Sequence, residues 1–168
     1  YEAEIIRVFA SLVEKGAVYQ SKKPVQWSYG AHTALAEAEV EYKEKVSPAI
    51  WVSFSLNEAS EEAFRTATGA TGEGSHCLVI WTTTPWTLPA NVGVALHKDF
   101  VYVAGRFANE SGEEQRLVVA RELLEEFSSK TGFSPQGEMV EFKGGQLEGL
   151  EVQHPFLGRL SKVILGAF

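Results

Sequence analysis

One cysteine, Cys77, stands among 168 residues, which excludes an internal disulfide and suits a reducing compartment, with the cytoplasm as the default expectation. No apolar run approaches the roughly 18 residues needed to span a bilayer, so no membrane partner is expected. The opening Tyr1-Glu-Ala-Glu4 is neither a signal peptide nor an initiator methionine and reads as an excised piece of a longer chain. Internal repeats and low-complexity tracts are absent. An excess of positive charge is absent too: 15 Lys and Arg face 22 Asp and Glu, for a net charge of −7. A protein that grips nucleic acid broadly through its phosphates presents a basic surface, so a general nucleic-acid binder is excluded. Any such contact must be local, at Lys22-Lys23, Lys43, Lys45, Arg159 or Lys162, or must be supplied from outside the chain.

The residues present suffice for a core. Hydrophobic residues make up 45% of the chain, and its length suits one domain, with or without a helical arm. Residues 2–15 carry Ile5, Phe9, Leu12 and Val13 at helical spacing, with Gly16 as the stop; the stripe reads as core. Residues 18–30 are short and extended around Pro24, 33–39 suit a turn of helix, and Val40 and Tyr42 open an alternating stretch. The clearest strand is 46–56, where Ile50, Val52, Phe54 and Leu56 share one face and Trp51, Ser53 and Ser55 the other, Trp51 serving a second packing surface. A polar helix carrying Phe64 is expected over 57–67, then a glycine-rich loop at 69–75 too irregular to be a phosphate-binding motif. Residues 77–81 read as a buried strand, and 92–96, 100–107 and 115–120 as further strands, the last two joined through the turn Asn109-Glu-Ser-Gly112. A helix over 120–131 is expected to bury Leu123, Leu124 and Phe127 and to stop at Gly132, before short strands at 138–142, 147–154 and 160–165. Many short strands with two or three helices imply an α+β domain, a curled sheet or barrel with helices packed outside.

Chemistry concentrates in Trp81-Thr-Thr-Thr-Pro-Trp-Thr-Leu-Pro-Ala-Asn91, which holds Thr82, Thr83, Thr84, Thr87, Pro85 and Pro89 within ten positions. Three threonines in a row place hydroxyls on both faces of a strand, and one facing the core must be hydrogen-bonded or line a polar pocket. Pro85 stops the ladder directly after them. The result is a hydroxyl-rich strand end, bent twice and flanked by two indoles. It suits a pocket for a small polar ligand with an apolar tail, and equally a polar loop capping a sheet.

The other chemical side chains read as structural. Cys77 fits an inert core thiol. His32 and His97 lack any His/Asp or His/Cys constellation and suit surface or capping roles, and His154 suits a hydrogen bonder at a strand end. Glu37, Glu39 and Glu41 alternate as a solvated edge.

The threonine-rich run is similar to that of isoleucyl-tRNA synthetase editing domains. Sibling families for valine and leucine tend to carry Thr-Thr-Arg-Pro and then an acid, where this chain has Thr84 and Trp86. Lys23-Pro-Val-Gln-Trp27 with Thr33-Ala-Leu-Ala-Glu-Ala-Glu-Val-Glu-Tyr42 resembles the segment leading into that domain, and His154-Pro-Phe156 resembles a block before its later strands. The resemblance implies the β-barrel-like editing (CP1) fold with peripheral helices. It implies a helical arm over 1–22, leading in from the synthetic domain, and an editing domain over 23–168 that is incomplete at its C-terminus. The family completes its site with a Gly-Thr-Gly…His-Thr-Ala-Pro-Gly-His-Gly segment and a nearby aspartate, whereas this chain ends at Val163-Ile-Leu-Gly-Ala-Phe168. It is therefore expected to supply one wall of the pocket and to be inactive alone.

The implied activity is hydrolysis of valyl-tRNA(Ile) by a parent that ligates isoleucine to its tRNA. A difference of one methylene is too small for binding to discriminate, so a second site clears the smaller product. By resemblance, Thr82, Thr83, Thr84 and Thr87 form the catalytic set around the terminal adenosine and the ester, and Trp86 and Asn91 bind and brace the substrate. A threonine hydroxyl is a poor general base, so these roles are positional. Some members carry a Cys-x-x-Cys pair where this chain has Ser28 and Ala31, so no metal is expected. Editing needs no cofactor; ATP with magnesium belongs to the parent's synthetic site. The implied partners are the tRNA(Ile) acceptor end, a valine or valyl-adenosine moiety and the rest of the synthetase chain. Two alternatives remain: a catalytically silent module that at most binds the acceptor end, and the editing domain of a valyl-tRNA synthetase.

Overall fold

A computed structural model describes residues 1–167; Phe168, with which the expected C-terminal stretch ends, lies outside them. The chain forms two compact units, residues 1–45 and residues 46–168.

In the first unit, helix α1 (Glu2–Glu14) places Glu2 and Glu4 where the helix dipole favours negative charge, and it ends before Gly16, which takes a left-handed φ of +70°. Its helical spacing is as expected, but its stripe is not core. Ile5 and Phe9 are each 55% exposed and no α1 residue is buried. The physical reason is the small size of the elements around it. Strands β1 (Trp27–Ser28) and β2 (Thr33–Ala34) form a two-residue antiparallel ladder, and a 3₁₀ turn at Glu37–Glu39 is capped by the Glu39 carboxylate on the Ala36 N–H. Elements this short offer no apolar layer to cover a helix of 13 residues, and Val40 and Tyr42 join no strand.

The second unit begins with β3 (Ile50–Ser55), starting later than expected because Pro48 cannot donate to a ladder. Helix α2 (Glu58–Thr68) follows, its first turn closed by the Asn57 side chain accepting from the Ser60 N–H. Then come β4 (Cys77–Thr82), a 3₁₀ helix at Pro85–Ala90, β5 (Gly93–His97), β6 (Val101–Ala108) and β7 (Glu114–Ala120). The expected second helix starts as a 3₁₀ turn, Arg121–Leu123, and continues as α3 (Leu124–Thr131), stopping at Gly132 in the left-handed region. The chain closes with β8 (Ser134–Lys143), a 3₁₀ turn at Gly144–Leu147, β9 (Glu151–Gln153) and β10 (Leu160–Gly166).

Five strands pair in the order β3-β4-β7-β6-β8, antiparallel except for β4 on β7, and three in the order β5-β10-β9, with β10 parallel to β5. A single antiparallel bridge, Leu56 to Val152, joins the sheets. The α+β expectation holds. A closed barrel is not formed: among the described residues no ladder joins β8 to β5.

Strand alternation sorts the core into two layers. Phe54, Leu78, Ala104, Val118 and Phe142 face Val94, Val152 and Val163 of the smaller sheet and Phe64 of α2. On the opposite face Val103, Phe107, Leu117 and Val119 meet Phe127 of α3, with Trp51 edge-on to Phe127 at 5.3 Å. The two faces assigned to β3 are thus both used for packing. Leu123, by contrast, is exposed, because the 3₁₀ turn rotates it off the face that carries Leu124 and Phe127. Gly105 sits where the β6–β8 register shifts, and a side chain there would strike Met139.

Truncation of the ring that α3 contributes to the second layer is a direct check. Phe127→Ala should lower unfolding stability by about 3–5 kcal/mol in urea titrations followed by Trp fluorescence. A loss under about 1 kcal/mol would mean α3 does not seal that face.

Candidate functional site

The threonine run divides where β4 ends. Thr82 is the last strand residue, paired with Ile50, while Thr83 and Thr84 lie beyond the ladder. Only Thr82 therefore keeps a strand position, and it is half-buried. Its Oγ1 accepts from the Thr84 N–H at 3.1 Å and lies 3.3 Å from the Thr84 hydroxyl. Pro85 then starts the 3₁₀ helix, where a missing N–H costs nothing. The Thr84 carbonyl accepts from both the N–H and the hydroxyl of Thr87, at 3.0 and 2.7 Å. Thr82, Thr84 and Thr87 thus lock one another into a turn. Thr83 is exposed, and its hydroxyl makes no hydrogen bond to another described residue.

The exit from the turn is held by the β9–β10 connection. His154, buried, directs Nε2 at the Leu88 carbonyl (2.8 Å), the Arg159 guanidinium donates to the Pro89 carbonyl, and the buried Ser161 hydroxyl donates to Asn91 Oδ1 at 2.7 Å. Asn91 in turn donates to the Gly93 carbonyl at 2.8 Å, bracing the turn on β5. Of the six residues picked from sequence, Thr82, Thr84 and Thr87 therefore form one network and Asn91 anchors its exit. Thr83 and Trp86 present themselves outward; Trp86 is 64% exposed. All six are exposed or half-buried. A polar groove of about 530 Å³, lined by Ser53, Ser75, Cys77, Arg106 and Arg116 among others, shares none of these residues.

His154 takes the expected strand-end role. His97 caps its own turn, with Nδ1 accepting from the Asp99 N–H, and stacks on Phe100 at 4.1 Å. His32 is exposed, at a left-handed φ of +52°. Burial pushes the Cys77 thiol up, against the opposing Ser55 hydroxyl at 3.2 Å, which suits an unreactive group. Among the described residues no group of three or more His, Cys, Asp or Glu is placed to hold a metal ion.

One buried polar cluster is absent from the sequence reading. Glu61 on α2 accepts from the His76 backbone N–H (2.8 Å), lies 2.6 Å from His76 Nδ1, and accepts from Arg65 Nε at 2.7 Å. Arg65 and Arg116 then donate to the carbonyls of Thr71, Gly72, Glu73 and Gly74, which orders the glycine-rich loop. The Glu61/Arg65 spacing of four on a helix is a visible signal; the partnership with His76, 15 positions on, is not.

The chain matches the family model for class I tRNA synthetases (I, L, M and V) over residues 1–143. It belongs to that family. Its full length is similar to isoleucine–tRNA ligases. Identity is 45% to that of Persephonella marina, over 100% of this chain and 16% of the relative, and 43% to that of Thermotoga maritima, with the same coverage. It is 40% to isoleucine–tRNA ligase 1 of Oceanobacillus iheyensis, over 99% of this chain and 17% of the relative. The chain thus spans about a sixth of the length of the curated relatives it matches. Its fold is similar to a solved structure described as "The crystal structure of GlLeuRS-CP1", with a TM-score of 0.55 at 14% identity, covering 71% of this chain and 49% of the other.

The Glu61–His76 pair carries a pH prediction for this synthetase chain. Burial lowers the affinity of His76 for a proton and outweighs the opposing pull of Glu61. For Glu61, burial raises the pKa, but the hydrogen bonds from His76 and Arg65 outweigh it and leave it below 4.5. As pH falls through 6.5 the unfolded chain takes up a proton that native His76 resists, and below 4.5 it takes up one that native Glu61 resists. Both effects remove stability on acidification. The urea midpoint should fall from pH 7.5 to pH 5, and the fall should shrink in His76→Gln; a flat midpoint in the native sequence would contradict the buried neutral histidine.

Proposed function

We propose that the chain is the editing region of an isoleucyl-tRNA synthetase and that residues 81–91 form one wall of the site that hydrolyses the ester of valyl-tRNA(Ile). The observation that carries this reading is the turn itself. Three threonines hold one another in shape and leave Thr83 and Trp86 facing outward, in a chain similar along its whole length to isoleucine–tRNA ligases.

In the proposed reaction, water attacks the ester carbonyl, the carbonyl oxygen takes up negative charge, and the ribose oxygen of the terminal adenosine leaves with a proton. Catalysis of this kind rests on an oriented water and on donors placed where the oxyanion forms. The Thr83 hydroxyl, which makes no hydrogen bond to another described residue, is available as such a donor. Those of Thr82 and Thr87 hold the backbone of Thr84 beside it, and that of Thr84 meets the Thr82 hydroxyl. Trp86 offers an apolar plane for the valine side chain, and Asn91 keeps the turn on β5. The reaction needs no cofactor from these residues, and ATP with magnesium is assigned to the parent's synthetic site. The openness of the threonine peptide favours a pocket whose opposite wall comes from the parent chain outside residues 1–168, so these residues alone act at most as a binder of the acceptor end. The partners in this reading are the tRNA(Ile) acceptor end, the valyl-adenosine moiety and the remaining synthetase, and the compartment is the cytoplasm.

A threonyl- rather than valyl-tRNA preference would instead mark a valine enzyme; Thr84 in place of arginine and Trp86 in place of an acid favour the isoleucine reading. In the full-length parent, Thr83→Ala should lower the kcat of valyl-tRNA deacylation on the order of 10²-fold, as loss of one oxyanion donor does. Asn91→Ala should also slow it, and should destabilise the fold by about 1–3 kcal/mol by leaving the buried Ser161 hydroxyl unpaired. Wild-type clearance of valyl-tRNA by both variants would sink the assignment.

A further inference from the structure

We infer that His154, held as the Nε2–H tautomer, is the positioning residue that sets the shape of the threonine peptide from the β9–β10 connection. The tautomer follows from its partners. Nδ1 faces two backbone donors, the N–H groups of Phe156 (3.4 Å) and Leu157 (3.2 Å), so it must be the acceptor. The hydrogen therefore resides on Nε2, which donates to the Leu88 carbonyl at 2.8 Å. The ring is also fixed by packing. It stands edge-on to Phe54 of the core at 6.1 Å and to Phe156 at 4.6 Å, and only 4% of the residue is exposed. One buried side chain thus joins the core, the β9–β10 turn and the 3₁₀ helix that carries Trp86 and Thr87.

Two neighbours act in the same direction. Between residues 154 and 161, three side chains (His154, Arg159 and Ser161) take hold of positions 88, 89 and 91. The turn that presents them is closed by the His154 N–H on the Arg159 carbonyl at 3.0 Å. None of these contacts belongs to a sheet ladder. The Leu88 carbonyl also keeps a second donor, the Asn91 N–H at 2.9 Å, so loss of the imidazole loosens the peptide and leaves the sheets paired. Sub-ångström placement of the groups around a reacting ester is what such a contact controls.

This inference rests on the editing reading, and its test separates the two. In the full-length synthetase, His154→Phe keeps the ring packing and removes the three polar contacts of the imidazole, while His154→Gln retains an N–H donor and an acceptor on one side chain. Two quantities are measured: the kinetics of valyl-tRNA deacylation, and amide hydrogen exchange across residues 84–91 against β6 and β7. For His154→Phe the deacylation kcat should fall about tenfold or more with KM little changed, and the Thr87 and Asn91 amides should exchange about tenfold faster while β6 and β7 keep their protection. His154→Gln should recover most of both. Unchanged exchange at Thr87 and Asn91 in His154→Phe would overturn the positioning role whatever the kinetics. Faster exchange with an unchanged kcat, or a change confined to KM, would overturn its catalytic relevance. If His154→Phe does not fold, His154→Gln and Ser161→Ala carry the same comparison, and protection lost throughout β6 and β7 in both would show a merely structural role. An absence of valyl-tRNA deacylation in the wild-type synthetase would refute the editing reading, while the exchange data still decide whether His154 shapes the peptide.

Discussion

Pro85 has no N–H to give to a ladder, and the architecture around the site depends on that. Strand β4 stops at Thr82, and the chain enters a 3₁₀ helix whose carbonyls no strand can satisfy. Side chains add to the few backbone bonds of this turn: Thr87 on the Thr84 carbonyl, His154 on Leu88 and Arg159 on Pro89. A segment freed from the sheet is thereby made as definite as one inside it. Its outward side chains, Thr83 and Trp86, make no hydrogen bond to another described residue. Hydrolysis of an ester by positioned water asks for this combination of a rigid backbone and unoccupied donors.

The support behind the peptide is a five-stranded sheet packed on both faces, by the smaller sheet and α2 on one side and by α3 on the other. Beside the β3–β4 pair, the Glu61–His76–Arg65 cluster and Arg116 gather a glycine-rich loop onto α2 and β7. The buried His76 ring is paired with the Glu61 carboxylate, as the cost of desolvation requires. The chain thus uses the same device twice, tying irregular backbone down with side-chain donors where no ladder is possible.

Local chemistry is legible in the sequence wherever one element is enough to express it. The alternation of 50–56 marks both faces of β3, Gly132 marks the end of α3, and Thr-Thr-Thr-Pro announces a strand that ends in hydroxyls. Long-range contacts are not legible. His154 is readable as a hydrogen bonder at a strand end, but its partner lies 66 positions earlier, and Ser161 reaches back 70 positions to Asn91. His76 shows no local sign of its role because its carboxylate sits on another element. The Ile5/Phe9/Leu12 stripe shows the converse limit: periodicity reports which face of a helix is apolar, whereas burial depends on a partner layer that the short elements of residues 1–45 do not form.

The most direct measurement is a crystal structure of the full-length synthetase with a non-hydrolysable valyl-adenosine amide. The expected result is an amide carbonyl within hydrogen-bonding reach of the Thr83 hydroxyl, the valine side chain against Trp86, and the 3₁₀ helix still held by His154. An analogue seated away from the threonine peptide, for instance in the polar groove of Ser53, Ser75 and Arg116, would contradict the assignment of residues 81–91 as a wall of the editing site.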